Sequence, residues 1–124
     1  MKIHKSAEDY LEAILILNER IGQARSIDIV NQMGFTKPSI SVAMKHLREN
    51  GYIRVDSEGY ITLTDAGRNI AERIYARHKL LTEYLVALGV DAKTASSDAC
   101  KIEHDLSDET FEKLKEHAAI YLRQ

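Results

Sequence analysis

Between Tyr52 and Thr64 the hydrophobic pattern changes period, and this change restricts the fold more than any other feature of the 124-residue chain. On either side of it, apolar residues recur every three or four positions, which predicts amphipathic helices. Within it, YIRVD and YITLT alternate around SEG, which predicts a two-stranded hairpin with Gly59 in its turn. We therefore expect a mainly helical chain that contains one β-hairpin.

Three helices are predicted before the hairpin, each ending at a glycine. They run from Ser6 to Gly22, from Ser26 to Gly34 and from Thr36 to Gly51. Ser26 and Thr36 are the expected N-caps of the second and third helices. Pro38 lies in the first turn of the third helix, where its missing N–H costs nothing.

Three more helices are predicted after the hairpin. A long one, capped by Thr64 or Asp65, runs to Gly89, and two shorter ones cover about Ala92–Asp105 and Ser107–Leu122. The inner face of the last helix is predicted to consist of Phe111, Leu114, Ala118 and Tyr121. The long helix has enough length to connect two lobes.

Helix, short helix, helix, hairpin, long helix is the order of a winged helix-turn-helix. The expected fold is mainly α, with an N-terminal winged helix-turn-helix and a two-stranded wing in residues 1–72, followed by a helical domain in residues 73–124. In DNA-binding proteins of this type the third helix enters the major groove and the wing lies near phosphate.

The charge around the third helix agrees with DNA binding. Between Thr36 and Arg54 four basic residues stand against one acidic residue, in a chain whose net charge is −2. Solvation of an exposed helix, or a protein-binding winged helix, would be the alternatives. The small hydroxyl groups and Val42 favour DNA, because they can approach bases and phosphates closely. The candidate DNA-binding residues are Thr36, Lys37, Pro38, Ser39, Ser41, Val42 and Lys45.

Three groups of possible metal donors lie elsewhere in the chain. In the stretch DACKIEH, the side chains of Cys100, Glu103 and His104 share one face if the stretch is helical, and borderline divalent metals accept such a set. The other two groups are the pair of Asp9 and Glu12 and the single residue His78. Taken singly, each has an ordinary alternative: a buried cysteine, a capping box of Ser6 with Asp9, or a surface histidine.

The motifs KSAEDYLEAI, RHKLL and CKIEHDLS, placed in this order around a winged helix, resemble those of the DtxR/MntR family of metal-dependent repressors. The resemblance covers nearly the whole chain. It implies operator DNA as partner, a homodimer formed by the C-terminal helices, and a role in metal homeostasis. It also implies metal ligands at Asp9, Glu12, His78, Cys100, Glu103 and His104.

The metal expected from this resemblance is Mn(II) first and Fe(II) next, because the acidic pair of Asp9 and Glu12 is typical of the manganese branch. Cys100 is a softer donor, and Co(II) or Zn(II) can substitute in vitro. The number of ions, one or two, stays open. The family's ancillary second site is poorly supported, because Thr82 and Ser96 occupy its matching positions.

Composition limits the remaining choices. The chain begins without a secretory signal and has no apolar run near the roughly 20 residues of a membrane span, so we expect a cytoplasmic protein that does not enter membranes. The single cysteine cannot form an internal disulfide. An enzyme is disfavoured because no phosphate loop or nucleophile motif occurs. The alternative function is a winged-helix regulator that senses a small organic ligand or a protein partner without metal.

Overall fold

The structure is a computed structural model that describes residues 5–122, and within that range it contains six helices and one antiparallel pair of strands. The helices are α1 (Lys5–Ile21), α2 (Ser26–Met33), α3 (Lys37–Glu49), α4 (Asp65–Ala87), α5 (Ala92–Ile102) and α6 (Asp108–Tyr121), and the strands are β1 (Ile53–Val55) and β2 (Ile61–Leu63). This order confirms the predicted winged helix-turn-helix followed by helices. None of the described helices is long and apolar enough to cross a membrane.

The chain divides into two compact units, unit 1 from Met1 to Glu72 and unit 2 from Arg73 to Gln124. The core of unit 1 is aliphatic and takes residues from α1, α2, α3 and both strands. Its most deeply buried members include Leu11, Ile14, Ile29, Ile40, Ile53 and Ile61. Two assignments stay predictions: residues 1–72 bind DNA, and residues 73–124 bind metal and dimerise.

The start of α2 differs from the prediction. Arg25, not Ser26, is the N-cap, and its backbone N–H donates to Oδ2 of Asp28 at 2.8 Å. The carboxylate of Asp28 completes the first turn, so Ser26 can be the first helical residue. Gly34 ends α2 with a φ of 74°, a left-handed conformation that favours glycine, as predicted.

The wing is shorter than predicted by one residue at each strand end, with Ile53 opposite Leu63. Asp56 leaves the ladder because its Oδ1 accepts the backbone N–H groups of Glu58 and Tyr60, each at 2.9 Å, which closes the turn. A bridge that the sequence did not indicate joins β2 to the α1–α2 connection. In it, the N–H of Ile61 donates to the carbonyl oxygen of Ala24 at 2.8 Å.

Helix α4 is capped by Thr64, the first of the two predicted caps. Its Oγ1 accepts the backbone N–H of Gly67 at 3.2 Å, and its hydroxyl donates to the carbonyl oxygen of Gly51 at 2.6 Å. The helix ends at Ala87, two residues before the predicted stop at Gly89. It contributes residues to both units.

Unit 2 has its own small core. Leu80 of α4 packs with Phe111 and Ala118 of α6, as the predicted inner face of the last helix requires. Tyr121 was assigned to that face wrongly, because 65% of it is exposed. Its ring lies against that of His117, tilted by 35° with centroids 4.4 Å apart, and His117 in turn stacks on Tyr84 of α4.

Helix α5 ends at Ile102, three residues before the predicted Asp105. Glu103 keeps helical backbone angles, and its N–H donates to the carbonyl oxygen of Ala99 at 3.0 Å. Residues 103–105 nevertheless form a turn. The carbonyl oxygens of Glu103 and Leu106 accept hydrogen bonds from the guanidinium of Arg77 on α4. An arginine side chain thus satisfies carbonyl groups that a longer helix would have paired.

Candidate functional site

The surface of α3 that faces away from the core of unit 1 carries the residues predicted to bind DNA. Thr36 caps the helix, since its Oγ1 accepts the backbone N–H of Ser39 at 3.3 Å. All seven candidates are exposed: Thr36, Lys37, Pro38, Ser39, Ser41, Val42 and Lys45. Val42, 56% exposed, is an apolar group among polar ones. This surface combines ammonium groups, small hydroxyls and methyl groups, which are the chemistry that phosphates and base edges accept.

An open groove in unit 1 was not indicated by the sequence. It is lined by the end of α3, strand β1 and the first turn of α4, and its basic side chains are Arg48 and Arg54. Both are exposed. The sequence indicated their charge, but only the fold shows that they line one groove. The two arginines extend positive charge from α3 to the wing, where phosphate contacts are expected, and Asp65 adds one carboxylate to the lining.

Four of the six predicted metal donors belong to unit 2, and the structure brings three of them together. Nδ1 of His78 lies 2.9 Å from Oε2 of Glu103 and 3.7 Å from Sγ of Cys100. One donor atom from each of the three lies within 4.8 Å of the others. Donors bound to one cation at about 2.0–2.3 Å lie at most about 4.6 Å apart. Small side-chain adjustments would therefore let these three residues share one ion.

Glu103 is the most buried of these donors, with a side chain that is 0% exposed. Its Oε2 faces His78, and its Oε1 lies 3.5 Å from Nε2 of His104, the fourth donor in unit 2. Across residues 5–122, Oε1 of Glu103 accepts no hydrogen bond. A buried carboxylate oxygen without a hydrogen bond is costly, and a divalent cation would satisfy it. The side chains of unit 2 thus fit a metal ion.

Two hydroxyl groups hold His78 from outside the cluster. Oγ of Ser96 lies 3.3 Å from Nε2 of His78, and the hydroxyl of Thr82 donates to the carbonyl oxygen of His78 at 2.7 Å. Metal-binding imidazoles usually donate the ring N–H that does not face the metal to an acceptor such as the Ser96 hydroxyl, which orients the ring. The Thr82 contact fixes the backbone of His78 instead. Sequence reasoning missed this contact of Ser96, because 18 residues separate it from His78.

Asp9 and Glu12, the other two predicted donors, lie on α1 in unit 1, three positions apart and on one face. Glu12 is 8% exposed, and Glu8, one turn earlier, is 7% exposed. The burial of Glu8 was not indicated by the sequence, because acidic residues in a first turn are usually solvated. Ser6 lies inside α1, so it is not the N-cap that a capping box with Asp9 would need.

Both units match known family models. Residues 2–61 match the iron dependent repressor, N-terminal DNA binding domain, and residues 64–119 match the iron dependent repressor, metal binding and dimerisation domain. An uncharacterised HTH-type transcriptional regulator from Methanocaldococcus jannaschii is 38% identical over 113 residues, or 90% of each chain. The transcriptional regulator MntR from Salmonella typhimurium is 31% identical over 105 residues, which cover 85% of this chain and 67% of that protein.

A solved structure of a manganese-dependent transcriptional repressor in complex with manganese is also similar, with a TM-score of 0.82 and 28% identity. The similarity covers 91% of this chain and 52% of that one, so the chain spans about half the length of this solved relative. The chain belongs to the iron-dependent repressor family, which is the DtxR/MntR family of metal-dependent transcriptional regulators.

Proposed function

We propose that the chain is a metal-dependent transcriptional repressor that binds double-stranded operator DNA as a homodimer and controls metal homeostasis. The observation that carries the proposal is the cluster of His78, Cys100 and Glu103. It lies within residues 64–119, which match the metal binding and dimerisation domain of the family. A thiol, a carboxylate and an imidazole at this spacing suit a divalent metal ion, whereas the sensing of an organic ligand does not require them.

The proposed metal ligands are the six predicted from the sequence. His78, Cys100, Glu103 and His104 would supply two imidazoles, a thiolate and a carboxylate from unit 2, and Asp9 and Glu12 would add two carboxylates from α1. The support for the first three is their mutual distance, and for His104 it is the 3.5 Å to Glu103. The support for the acidic pair is its position on one face of α1 together with the burial of Glu12.

The proposed order of metals is Mn(II), then Fe(II), with Co(II) and Zn(II) as substitutes in vitro. Carboxylate donors suit Mn(II) and Fe(II), whereas the thiolate of Cys100 raises the relative affinity for softer ions. The similar repressor solved with manganese and the iron named in the family description support the first two metals. Affinity alone favours Zn(II) over Mn(II), so the metal used in a cell depends on what that cell supplies.

The proposed mechanism is electrostatic. When bound, the cation would supply positive charge to its carboxylate and thiolate ligands, which would repel one another without it. Asp9 and Glu12 belong to the unit that carries α3, and the other donors belong to unit 2. Shared ligation would limit the movement of α3, and in a two-fold dimer it would fix the distance between two copies of α3. Half-sites on DNA lie about 34–36 Å apart for each helical turn that separates them. A dimer whose two α3 helices are already held at a matching distance would therefore bind operator DNA more tightly.

On DNA, we propose that the exposed surface of α3 lies in the major groove. Lys37 and Lys45 would contact phosphate, while Ser39, Ser41 and Val42 approach base edges. Thr36 and Pro38 would fix the start of the helix against the backbone. The groove with Arg48 and Arg54 would add phosphate contacts near the wing.

Element analysis together with a DNA-binding measurement tests this function. Protein purified without chelator is expected to carry a first-row divalent metal, and its binding to operator fragments selected from random DNA should weaken in EDTA and recover when Mn(II) is added. The salt concentration is held constant, because phosphate contacts depend on it. Equal DNA affinity of the metal-free and metal-loaded forms would contradict a metal-dependent repressor and would favour a regulator that responds to a different effector.

A further inference from the structure

Arg77 has a structural environment that neither the DNA surface nor the proposed metal ligands explain. Its side chain lies on α4, one residue before His78, and is 2% exposed. Its Nη1 donates to the carbonyl oxygens of Glu103 at 3.2 Å and Leu106 at 2.5 Å, and its Nη2 donates to Oδ1 of Asp108 at 2.6 Å. One guanidinium therefore binds both ends of the turn between α5 and α6.

Two neighbouring residues of α4 hold Glu103 at two different points. Arg77 binds its backbone carbonyl oxygen, and Nδ1 of His78 lies 2.9 Å from Oε2 of its carboxylate. The backbone and the side chain of one buried donor are thus fixed from the same helix. His104 follows directly in the chain, so its position also depends on this turn.

Stability alone is a weak reason for a buried arginine here. Desolvation of a guanidinium is costly, and an apolar side chain of similar volume often stabilises a fold equally well. Within residues 5–122, Nε of Arg77 makes no hydrogen bond although it is buried, which adds to that cost. What an apolar side chain could not do is bind two carbonyl oxygens and a carboxylate in one plane.

We propose that Arg77 is a positioning residue of the metal centre. It holds the turn after α5 so that the carboxylate of Glu103 and the imidazole of His104 already have the geometry that the cation needs. The inference rests on the proposed function, in that the donors of unit 2 must bind metal. Loss of Arg77 should therefore weaken metal binding although every donor remains.

The test uses full-length Arg77→Lys and Arg77→Met proteins with Co(II) as the probe. Lysine keeps the charge but cannot bind three acceptors in a plane, and methionine keeps much of the volume. Both variants should bind Co(II) about 10-fold to 100-fold more weakly than the parent, the range found when partners of metal ligands are removed. Their ligand-field and thiolate-to-cobalt absorption bands should also shift, which a purely structural role would not produce.

Arg73 provides the matched control, because it lies one turn earlier on α4, is exposed, and is 3.8 Å from the same Asp108 carboxylate. Arg73→Lys should bind Co(II) within about 2-fold of the parent with an unchanged spectrum. In addition, Asp108→Asn keeps an acceptor for Arg77 and should lose less affinity than Asp108→Ala. Folding of each metal-free variant is checked by circular dichroism before titration.

The outcomes separate this inference from the function on which it rests. If the parent binds no Co(II), the proposed metal function fails. If the parent binds and the folded Arg77 variants match it in affinity and spectrum, Arg77 does not position the donors. If neither Arg77 variant folds without metal, the residue serves folding and the inference is overturned as well.

Discussion

A methyl group at Gly67 would lie 2.0 Å from the carbonyl oxygen of Tyr52. That oxygen also accepts the backbone N–H of Thr64 at 3.0 Å, so it cannot move away without loss of a hydrogen bond. The first turn of α4 therefore passes directly against the beginning of the wing. Only glycine allows this approach.

Gly67→Ala should destabilise the protein by about 2 kcal/mol, since overpacking of a tight contact costs about 1–3 kcal/mol and outweighs the helix propensity of alanine. Thermal and urea unfolding of the metal-free protein would measure the change. Asn69→Ala, an exposed change two residues later, is the control and should leave stability equal or slightly higher. Equal stability of Gly67→Ala and parent would mean that the close approach is relieved at no cost.

Asp9→Ala should weaken Mn(II)-dependent DNA binding by about 10-fold or more, because it removes a proposed metal ligand. The metal-free protein should stay folded, because Asp9 is not part of a helix cap. Operator affinity with and without Mn(II), and circular dichroism of the metal-free protein, would show this. Glu19→Ala, an exposed change on the same helix, is the matched control. If Asp9→Ala unfolds the protein instead, Asp9 has a structural role in the first turns of α1.

Lys45→Ala should weaken binding to all DNA sequences and reduce the slope of log affinity against log salt by about 1, which is the effect of one lost phosphate contact. Val42→Ser should leave that slope unchanged and relax the preference at one base pair, where a methyl contact is lost. Fluorescence anisotropy at several salt concentrations separates the two effects. Lys115→Ala in unit 2 should change neither the salt slope nor the base preference. A change in either quantity would indicate that residues outside α3 contact the DNA.

Cys100→Ser should abolish the thiolate-to-cobalt absorption of the Co(II) form and lower the preference for Zn(II) over Mn(II), because a hard hydroxyl replaces a soft thiolate. Cys100 is exposed, so substitution should cost little stability. Competition titrations with the two metals would measure the preference. An unchanged spectrum would show that the sulfur is not a ligand.

The fold could be predicted further than the site, and the reason is the range of the interactions. Residues a few positions apart determine the period of each helix, the cap at Thr36 and the alternating pattern of the wing, so a local pattern is enough to predict them. The N-cap of α2 was missed because the side chain of Asp28 and the backbone of Arg25 form an equally good cap. Tyr121 has the period of the inner face, yet it is 65% exposed and contacts the ring of His117 at its edge.

The candidate metal donors were found from the order of short motifs, whereas the contacts that arrange them were not. His78 and Glu103 are 25 residues apart, and Arg77 and Leu106 are 29 apart. No local pattern reports such pairs. A buried arginine is especially hard to predict, because arginine is usually exposed unless partners from distant residues compensate its charge.

The early end of α5 has a consequence for protein engineering. If the Cys100, Glu103 and His104 spacing were copied onto an uninterrupted helix of another scaffold, the donors would follow helical geometry, whereas here the turn at residues 103–105 directs the last of them. A graft would have to carry the arginine and histidine of α4 and the first residue of α6 as well. The transferable part is therefore a corner built from three chain segments, and it cannot be reduced to a five-residue motif.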